Sequence, residues 1–203
     1  QEKIMRYISL ALAALFVSPT VANAGKYVID ASHSSVTFKV RHMMVANVRG
    51  EFAALEGSAK VDRENPKNLQ FEATIDVASI NTRDAKRDGH LRSADFFDVE
   101  KYPKMTFKSK RSKKVGKNKY KVWGDLTMRG VTKEVALDVE SDMREVTDPW
   151  GNTKMGATAT TTINRQDFGV SWNKTLDKGG LLVGDDVQIT IDVELNKQTA
   201  NKS

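Results

Sequence analysis

Residues Val187-Gln-Ile-Thr-Ile-Asp-Val-Glu-Leu195 alternate strictly between apolar and polar side chains. The same period of two occurs at residues 69–77, 36–40 and 135–139, and turn signals such as Gly179-Gly180 separate these runs. Successive side chains of a strand point to opposite faces, so the pattern predicts strands with one buried and one solvated face. Such strands are typical of antiparallel sheets. The sequence therefore predicts an all-β protein.

One segment departs from this alternation. Residues 85–97 follow Asn81-Thr-Arg-Asp84 and predict a helix of two to three turns, with a narrow apolar stripe formed by Ala85, Leu91 and Ala94. We count about eight strands, which suits a small closed barrel, and the helix falls between about the fourth and fifth of them. A long antiparallel sheet with one apolar face must close, pair with a second sheet or leave its edges exposed. We therefore expect closure into an eight-stranded antiparallel barrel.

Small side chains on the predicted inner faces raise the question of whether the barrel is hollow. The strand over residues 154–164 carries Ala157 and Ala159 on the face that also holds Met155, and Gly124 shares a face with Val122. Empty volume inside a protein costs about 24 cal/mol per Å³, so a persistent hollow favours a bound ligand. The alternative is that large side chains from the opposite wall fill this space. The residues alone leave both interpretations open.

The first 24 residues have the pattern of a secretory signal peptide. A cation at Arg6 is followed by an apolar run over residues 7–17 and by the small-residue motif Ala22-Asn-Ala24. The apolar run is shorter than the about 20 residues of a membrane-spanning helix. We therefore expect a signal peptide at 1–24 that is cleaved near Ala24, a barrel domain at 25–197 and a polar tail at 198–203. The expected localisation is the periplasm.

The sequence lacks the motifs that usually indicate catalysis or metal binding. It contains no cysteine, and His33, His42 and His90 do not have the H-x-x-x-H spacing of a helical metal pair. It also contains no G-x-S-x-G, Walker or G-x-G-x-x-G motif. We therefore predict no catalytic residue, no metal site and no cofactor, and we expect the protein not to be an enzyme.

Positive charge is concentrated in one segment. The chain has a formal net charge of +6, and Lys108–Lys121 contains eight cations and no acid. Stacking aromatic residues are scarce around it, so we expect no nucleic-acid partner. The segment either makes peripheral contact with an anionic membrane, at about 1 kcal/mol for each cation, or is a solvated hairpin whose lysines prevent aggregation at the sheet edge.

Several sequence blocks span about Tyr27 to Leu195 and follow one another in the order of a known family. They are Tyr27-Val-Ile-Asp30-x-x-His33-Ser34-x-Val36-x-Phe38-x-Val40-x-His42, Val48-x-Gly50-x-Phe52, Asp88-x-His90-Leu91-x-Ser93-x-Asp95-Phe96-Phe97, Tyr102-Pro103-x-Met105-x-Phe107, Gly124-x-Leu126-Thr127-x-x-Gly130-Val131-Thr132-x-x-Val135, Arg165-x-Asp167-Phe168-Gly169 and Val183-Gly184-Asp185-x-Val187. This series resembles the YceI-like family. The basic segment Lys108–Lys121 lies between the blocks and is a feature of this chain.

The resemblance implies an extended, lipocalin-like barrel in the periplasm. Such a barrel holds a long polyisoprenoid or other amphiphile, for example an isoprenoid quinone or a fatty-acid derivative, for transport, storage or sensing. Dimers occur in the family, so a homodimer is among the expected assemblies. Two alternatives stay open: an enzyme or accessory factor that acts on isoprenoid quinones, and a filled barrel that binds surfaces through its cations.

Two groups of residues are candidates for contact with such a ligand. The lumen candidates are apolar: Phe38, Val40, Phe52, Phe71, Ile75, Val77, Leu91, Phe96, Phe97, Phe107, Val122, Leu126, Leu137, Met155, Ala159, Ile163, Phe168 and Ile189. The candidates for a polar mouth are Arg83, Asp88, His90, Arg165 and Asp167. Each lumen residue is alternatively plain core, and each mouth residue alternatively makes structural hydrogen bonds.

Overall fold

The computed structural model describes residues 24–63, 65, 69–177 and 179–198. The expected signal peptide, apart from Ala24, and the expected tail, apart from Gln198, lie outside these residues. Within them the chain forms twelve strands and one α-helix. They are β1 (Gly25–Ile29), β2 (Ser35–His42), β3 (Ala46–Phe52), β4 (Leu55–Val61), β5 (Gln70–Asp76), β6 (Ile80–Asn81), α1 (Ala85–Arg92), β7 (Lys104–Gly116), β8 (Lys119–Met128), β9 (Val131–Glu140), β10 (Val146–Thr147), β11 (Thr153–Asn164) and β12 (Val183–Lys197).

Among the described residues, eight strands close into a ring. Their order is β11-β9-β8-β7-β5-β4-β1-β12, and β11 pairs with β12 to complete the circle. Neighbouring strands are antiparallel throughout the ring. This arrangement confirms the predicted eight-stranded antiparallel barrel.

The long strand β12 joins the ring to the remaining wall. One edge of β12 pairs with β11 from Asp186 to Asn196. Its other edge pairs with β1 near Lys197 and with β2 between Val183 and Asp192. Strands β2, β3 and β6 extend outward from β12 in that order, so they form the barrel wall at the end that β1 does not reach.

The helix α1 is shorter than the sequence predicts. Its N-cap is Asp84, whose carboxylate accepts a hydrogen bond from the Arg87 amide, and it ends at Arg92 instead of continuing to residue 97. A longer helix would spread Leu91, Phe96 and Phe97 around its circumference, whereas the turn after Arg92 directs all three to the barrel. The helix follows six strands rather than about four, because short strands such as β6 show no alternation to recognise.

The apolar side chains of the alternating strands form the core inside the barrel. Tyr27, Val36, Leu55, Met105 and Leu137 are among its buried members. The polar partners in the same alternation face solvent and form cross-strand ion pairs on the outside. No helix among the described residues is long and apolar enough to span a bilayer.

Candidate functional site: an apolar lumen

The lumen contains a first cavity of about 160 Å³ at the end of the barrel where β2, β3 and α1 lie. Apart from Thr106, Thr161 and Arg165, its wall is apolar. Leu91, Phe96 and Phe97 contribute to this wall from α1 and the turn after it, and the Phe97 ring packs edge-on against Phe52 with 5.9 Å between centroids.

A second cavity of about 70 Å³ lies at the opposite end of the lumen. The small residues Ala157 and Ala159 of β11 line it together with Met155 and Val122. Among the described residues no large side chain fills the space beside these alanines, so of the two interpretations that the sequence left open, the hollow one applies on this side of the barrel. At Gly124, by contrast, the space is occupied, since a Cβ atom there would lie 2.5 Å from Cζ of Phe107.

The segment 141–145, here called the closing segment, covers the far end of the second cavity. Met143 is buried and belongs to the cavity wall. The Glu145 carboxylate accepts hydrogen bonds from the Tyr27 hydroxyl at 2.5 Å and from the Lys197 ammonium at 2.8 Å. The Lys197 hydrogen bond and that of Tyr27 hold the pKa of Glu145 below its usual range. Burial, followed by the contact with Glu145, raises the pKa of Tyr27. The closing segment is therefore anchored to β1 and β12 and contributes Ser141 and Met143 to the wall of the second cavity.

The structure places sixteen of the eighteen predicted lumen residues on a cavity wall. Phe71 and Leu137 line both cavities. The other predicted residues that line the first cavity are Phe38, Val40, Phe52, Ile75, Leu91, Phe96, Phe97, Phe107, Leu126, Ile163 and Ile189. The second cavity adds Val122, Met155 and Ala159. Whether these residues contact a ligand stays a prediction.

Val77 and Phe168 do not line either cavity, contrary to their predicted position. Both lie in 3-10 turns, Val77–Ser79 and Arg165–Phe168, where the alternation of a strand no longer sets the direction of the side chain. Their exposed fractions are 1% and 2%, so they are packed core residues.

The sequence reasoning missed several residues that line the cavities, and the alternation contained a signal for some of them only. Val36, Ala73 and Ile191 share the inner faces of strands whose other inward residues were predicted. Met143 and Val170 lie in connecting segments, where no periodicity indicates the direction of a side chain.

The predicted polar mouth is not assembled. Arg83 lines a polar groove on the outside of β2 and β3, and the exposed Asp167 pairs with Lys133 at 3.0 Å. Asp88 is buried and accepts hydrogen bonds from the amide and the hydroxyl of Thr82. His90 lies 2.9 Å from Asp95 and packs against Phe96 and Trp172. Alternation gives no information about such loop and helix residues, so the sequence could not place them.

Arg165 is the member of the predicted mouth that reaches the lumen wall. Its exposed fraction is 4%, and burial lowers the pKa of its guanidinium despite the nearby charge of Asp185. All five of its N–H groups donate within the protein, to the carbonyls of Val170, Trp172, Val183 and Gly184 and to Asp185. Arg165 therefore ties the loop after β11 to the start of β12, and it has no donor left for a ligand head group.

The basic segment divides into two parts. At its base Lys108, Lys110, Arg111 and Lys121 pair with acids on neighbouring strands, and Arg111 forms two 2.8 Å hydrogen bonds to Glu134. Near its turn are four lysines, here called the tip lysines, which make no ion pair with any described residue: Lys113, Lys114, Lys117 and Lys119. Val115 between them has an exposed fraction of 55%.

Asp30, His33 and Glu194 form a group whose side chains can ligate a metal. The Lys154 ammonium already lies 3.2 Å from Asp30 and 2.5 Å from Glu194, where its single positive charge offsets part of the charge of the two carboxylates. Hydrogen bonds from Ser32 and then His33 hold the pKa of Asp30 well below its usual range. The group thus works as an ion-paired link between β1, β11 and β12.

A closed antiparallel barrel with an apolar lumen defines this protein as a lipocalin-like barrel. The YceI-like domain family matches residues 27–195, so the chain belongs to the YceI-like family. UPF0312 protein SA2479 of Staphylococcus aureus strain N315 is 36% identical over 170 residues, which cover 84% of this chain and 96% of the relative.

Solved structures agree with this assignment. The Campylobacter jejuni YceI protein is 33% identical, with a TM-score of 0.65 over 78% of this chain and 90% of the other. BcnA of Burkholderia cenocepacia is 26% identical, with a TM-score of 0.70 over 82% and 98%. A polyisoprenoid binding domain from Saccharophagus degradans shares the fold, with a TM-score of 0.60 at 14% identity over 86% and 99%.

Proposed function

We propose that the barrel binds a long isoprenoid or a similar amphiphile inside its lumen, as a carrier, store or sensor. The observation that carries the proposal is the apolar lumen itself, whose two cavities are lined by hydrocarbon side chains almost throughout. The similarity in fold to a polyisoprenoid binding domain supports the same ligand class.

Burial of the chain would supply most of the affinity. Each methylene removed from water contributes about 0.8 kcal/mol, so a dozen contribute on the order of 10 kcal/mol before the cost of ordering the ligand. The head group would add little, because the donors of Arg165 are already occupied. Affinity should therefore follow the length and shape of the chain.

Native mass spectrometry of the protein purified from its own cells tests this proposal. We expect an added mass that is lost on extraction with organic solvent and restored by incubation with a prenol such as solanesol. A protein that carries no added mass and rebinds no prenol would instead support the filled-barrel alternative.

We propose that the ligand is bound and not transformed. His90, the residue that a quinone-converting alternative would use, points to Asp95 and two aromatic rings and is not part of either cavity wall. Incubation with a reduced isoprenoid quinone should leave it chemically unchanged. Turnover that disappears in His90→Ala would establish the enzyme alternative.

We also propose that the protein is exported to the periplasm. The apolar run over residues 7–17 and the Ala22-Asn-Ala24 motif support export. Cell fractionation and N-terminal sequencing should give a periplasmic protein that starts at Gly25, whereas a cytosolic chain that retains Arg6 would contradict it. Light scattering on the same material distinguishes a homodimer from a monomer.

We further propose that the tip lysines contact an anionic membrane surface. They have no ion-pair partner among the described residues and surround the exposed Val115, so their charge is free to meet lipid phosphates. The quadruple change of the tip lysines to Gln should weaken binding to phosphatidylglycerol vesicles at least tenfold at low salt. Its control replaces Lys39, Lys86, Lys101 and Lys174 by Gln. Equal losses in both variants would contradict a localised contact.

A further inference from the structure

The two cavities share three lining residues: Phe71 of β5, Leu137 of β9 and Ile191 of β12. In the ring, β9 and β5 are three steps apart, β5 and β12 are three steps apart, and β12 and β9 are two steps apart. The three side chains therefore approach the barrel axis from three sides at almost even spacing. We call them the waist of the lumen.

Phe71, the aromatic residue of the waist, differs from its neighbour Phe107, whose ring centroid is 6.3 Å away and which lines the first cavity but not the second. The Phe107 ring occupies the space that a side chain at Gly124 would need, so its position is fixed by the wall. The Phe71 ring has cavity space on both sides, because it lines the first and the second cavity. Phe71 therefore borders both cavities, as Leu137 and Ile191 do, and it is the waist residue with an aromatic ring.

We propose that Phe71 sets how far an apolar chain penetrates the barrel, and so selects ligands by chain length. With its ring across the waist, a short chain occupies the first cavity alone. When the ring turns aside, a longer chain passes into the second cavity, and the closing segment with Met143 stops it there. This inference rests on the proposed function, because it requires a ligand chain in the lumen.

A series of prenols of increasing length tests the inference by native mass spectrometry or by displacement of a fluorescent probe. The series is farnesol, geranylgeraniol and solanesol. Ala157→Leu fills the second cavity, and we expect it to weaken solanesol binding at least tenfold while farnesol binding changes less than twofold. The matched control is Ala73→Leu, which places the same side chain in the first cavity and should weaken all three prenols.

Phe71→Ala removes the movable ring. We expect it to speed the association of solanesol at least tenfold and to leave the association of farnesol within twofold of the wild type. Circular dichroism of each variant confirms that the barrel is folded. Should Phe71→Ala not fold, Phe71→Leu, which also removes the ring but keeps a branched apolar side chain, replaces it with the same expected result. An unchanged association rate of solanesol in a folded variant would overturn the role of Phe71.

The results separate the inference from the function on which it rests. If the wild type binds none of the three prenols, the proposed function is wrong, and the inferred selection by chain length is wrong as well. If the wild type binds them but Ala157→Leu and Ala73→Leu affect every length alike, the inference alone is overturned.

Discussion

Gly124 on β8 and Ala159 on β11 are both small residues on the inner face of the barrel, yet their surroundings differ. At Gly124 the Phe107 ring from the neighbouring strand fills the space, whereas the side chain of Ala159 lines the second cavity. Phe107 pairs with Leu126, two residues from Gly124, and its ring reaches diagonally over the glycine. Ala159 pairs with Val139 on one side and Ile191 on the other, and neither reaches across it. Whether a small inward residue borders a hollow therefore depends on the side chains of the neighbouring strands. The sequence alone does not show which side chains these are.

Removing the ring that fills the Gly124 site should have the largest effect on stability. Phe107→Ala leaves a cavity in a packed wall, and we expect a loss of about 4 kcal/mol in the free energy of unfolding. Urea titration monitored by fluorescence measures it. Phe71→Ala is the control, and it should cost clearly less because its ring already borders open space on two sides. Equal costs would remove the distinction between filled and open sites.

Adding a side chain at the filled site should be nearly as damaging. A Cβ atom at Gly124 would lie 2.5 Å from the Lys108 carbonyl oxygen as well as from the Phe107 ring. We expect Gly124→Leu to lower the free energy of unfolding by about 3 kcal/mol. In the Phe107→Ala background the same change should cost less, because the ring is gone, so urea titrations of both single variants and the double variant measure the coupling. Strict additivity would show that the ring does not fill this site.

A large side chain at the open site should affect binding more than folding. Ala159→Trp projects an indole into the second cavity, so we expect a folded protein that no longer takes up solanesol. Uptake is measured by native mass spectrometry and folding by circular dichroism. A folded variant with unchanged uptake would show that the ligand chain does not use the space above Ala159.

The smallest expected effect concerns the closing segment over the open site. The pKa of Glu145 is lowered in the folded protein from a reference of 4.5, so its carboxylate stabilises the fold at higher pH. That contribution is complete above about pH 5 and is lost as the pH falls through the lowered pKa. Glu145→Gln should therefore flatten the pH dependence of the free energy of unfolding below about pH 5. The control is Glu56→Gln, which removes one exposed carboxylate of β4. Equal flattening in both variants would contradict a specific role of Glu145.

Alternation predicted the strands and the barrel because every second residue of β5, β11 and β12 faces the same side. It failed at Val77 and Phe168, because 3-10 turns rotate their side chains away from the strand pattern. It also carried no information on Arg83 or Asp167, whose exposed positions depend on loop geometry.

The division of the lumen could not be predicted for a related reason. The waist forms where Phe71, Leu137 and Ile191 meet, and these residues come from strands far apart in the chain. Only the closed ring brings them together on the walls of both cavities. Family resemblance indicated a hollow barrel, but it did not indicate where that hollow narrows.

The position of β12 also has a kinetic consequence. This strand completes the circle with β11 and β1 and also holds β2, so the barrel cannot close before residues 183–197 are available. Pairing of Tyr27 with Lys197 joins residues from opposite ends of the domain, and such non-local contacts slow folding. A newly made chain therefore cannot complete the closed ring until its final strand has been synthesised.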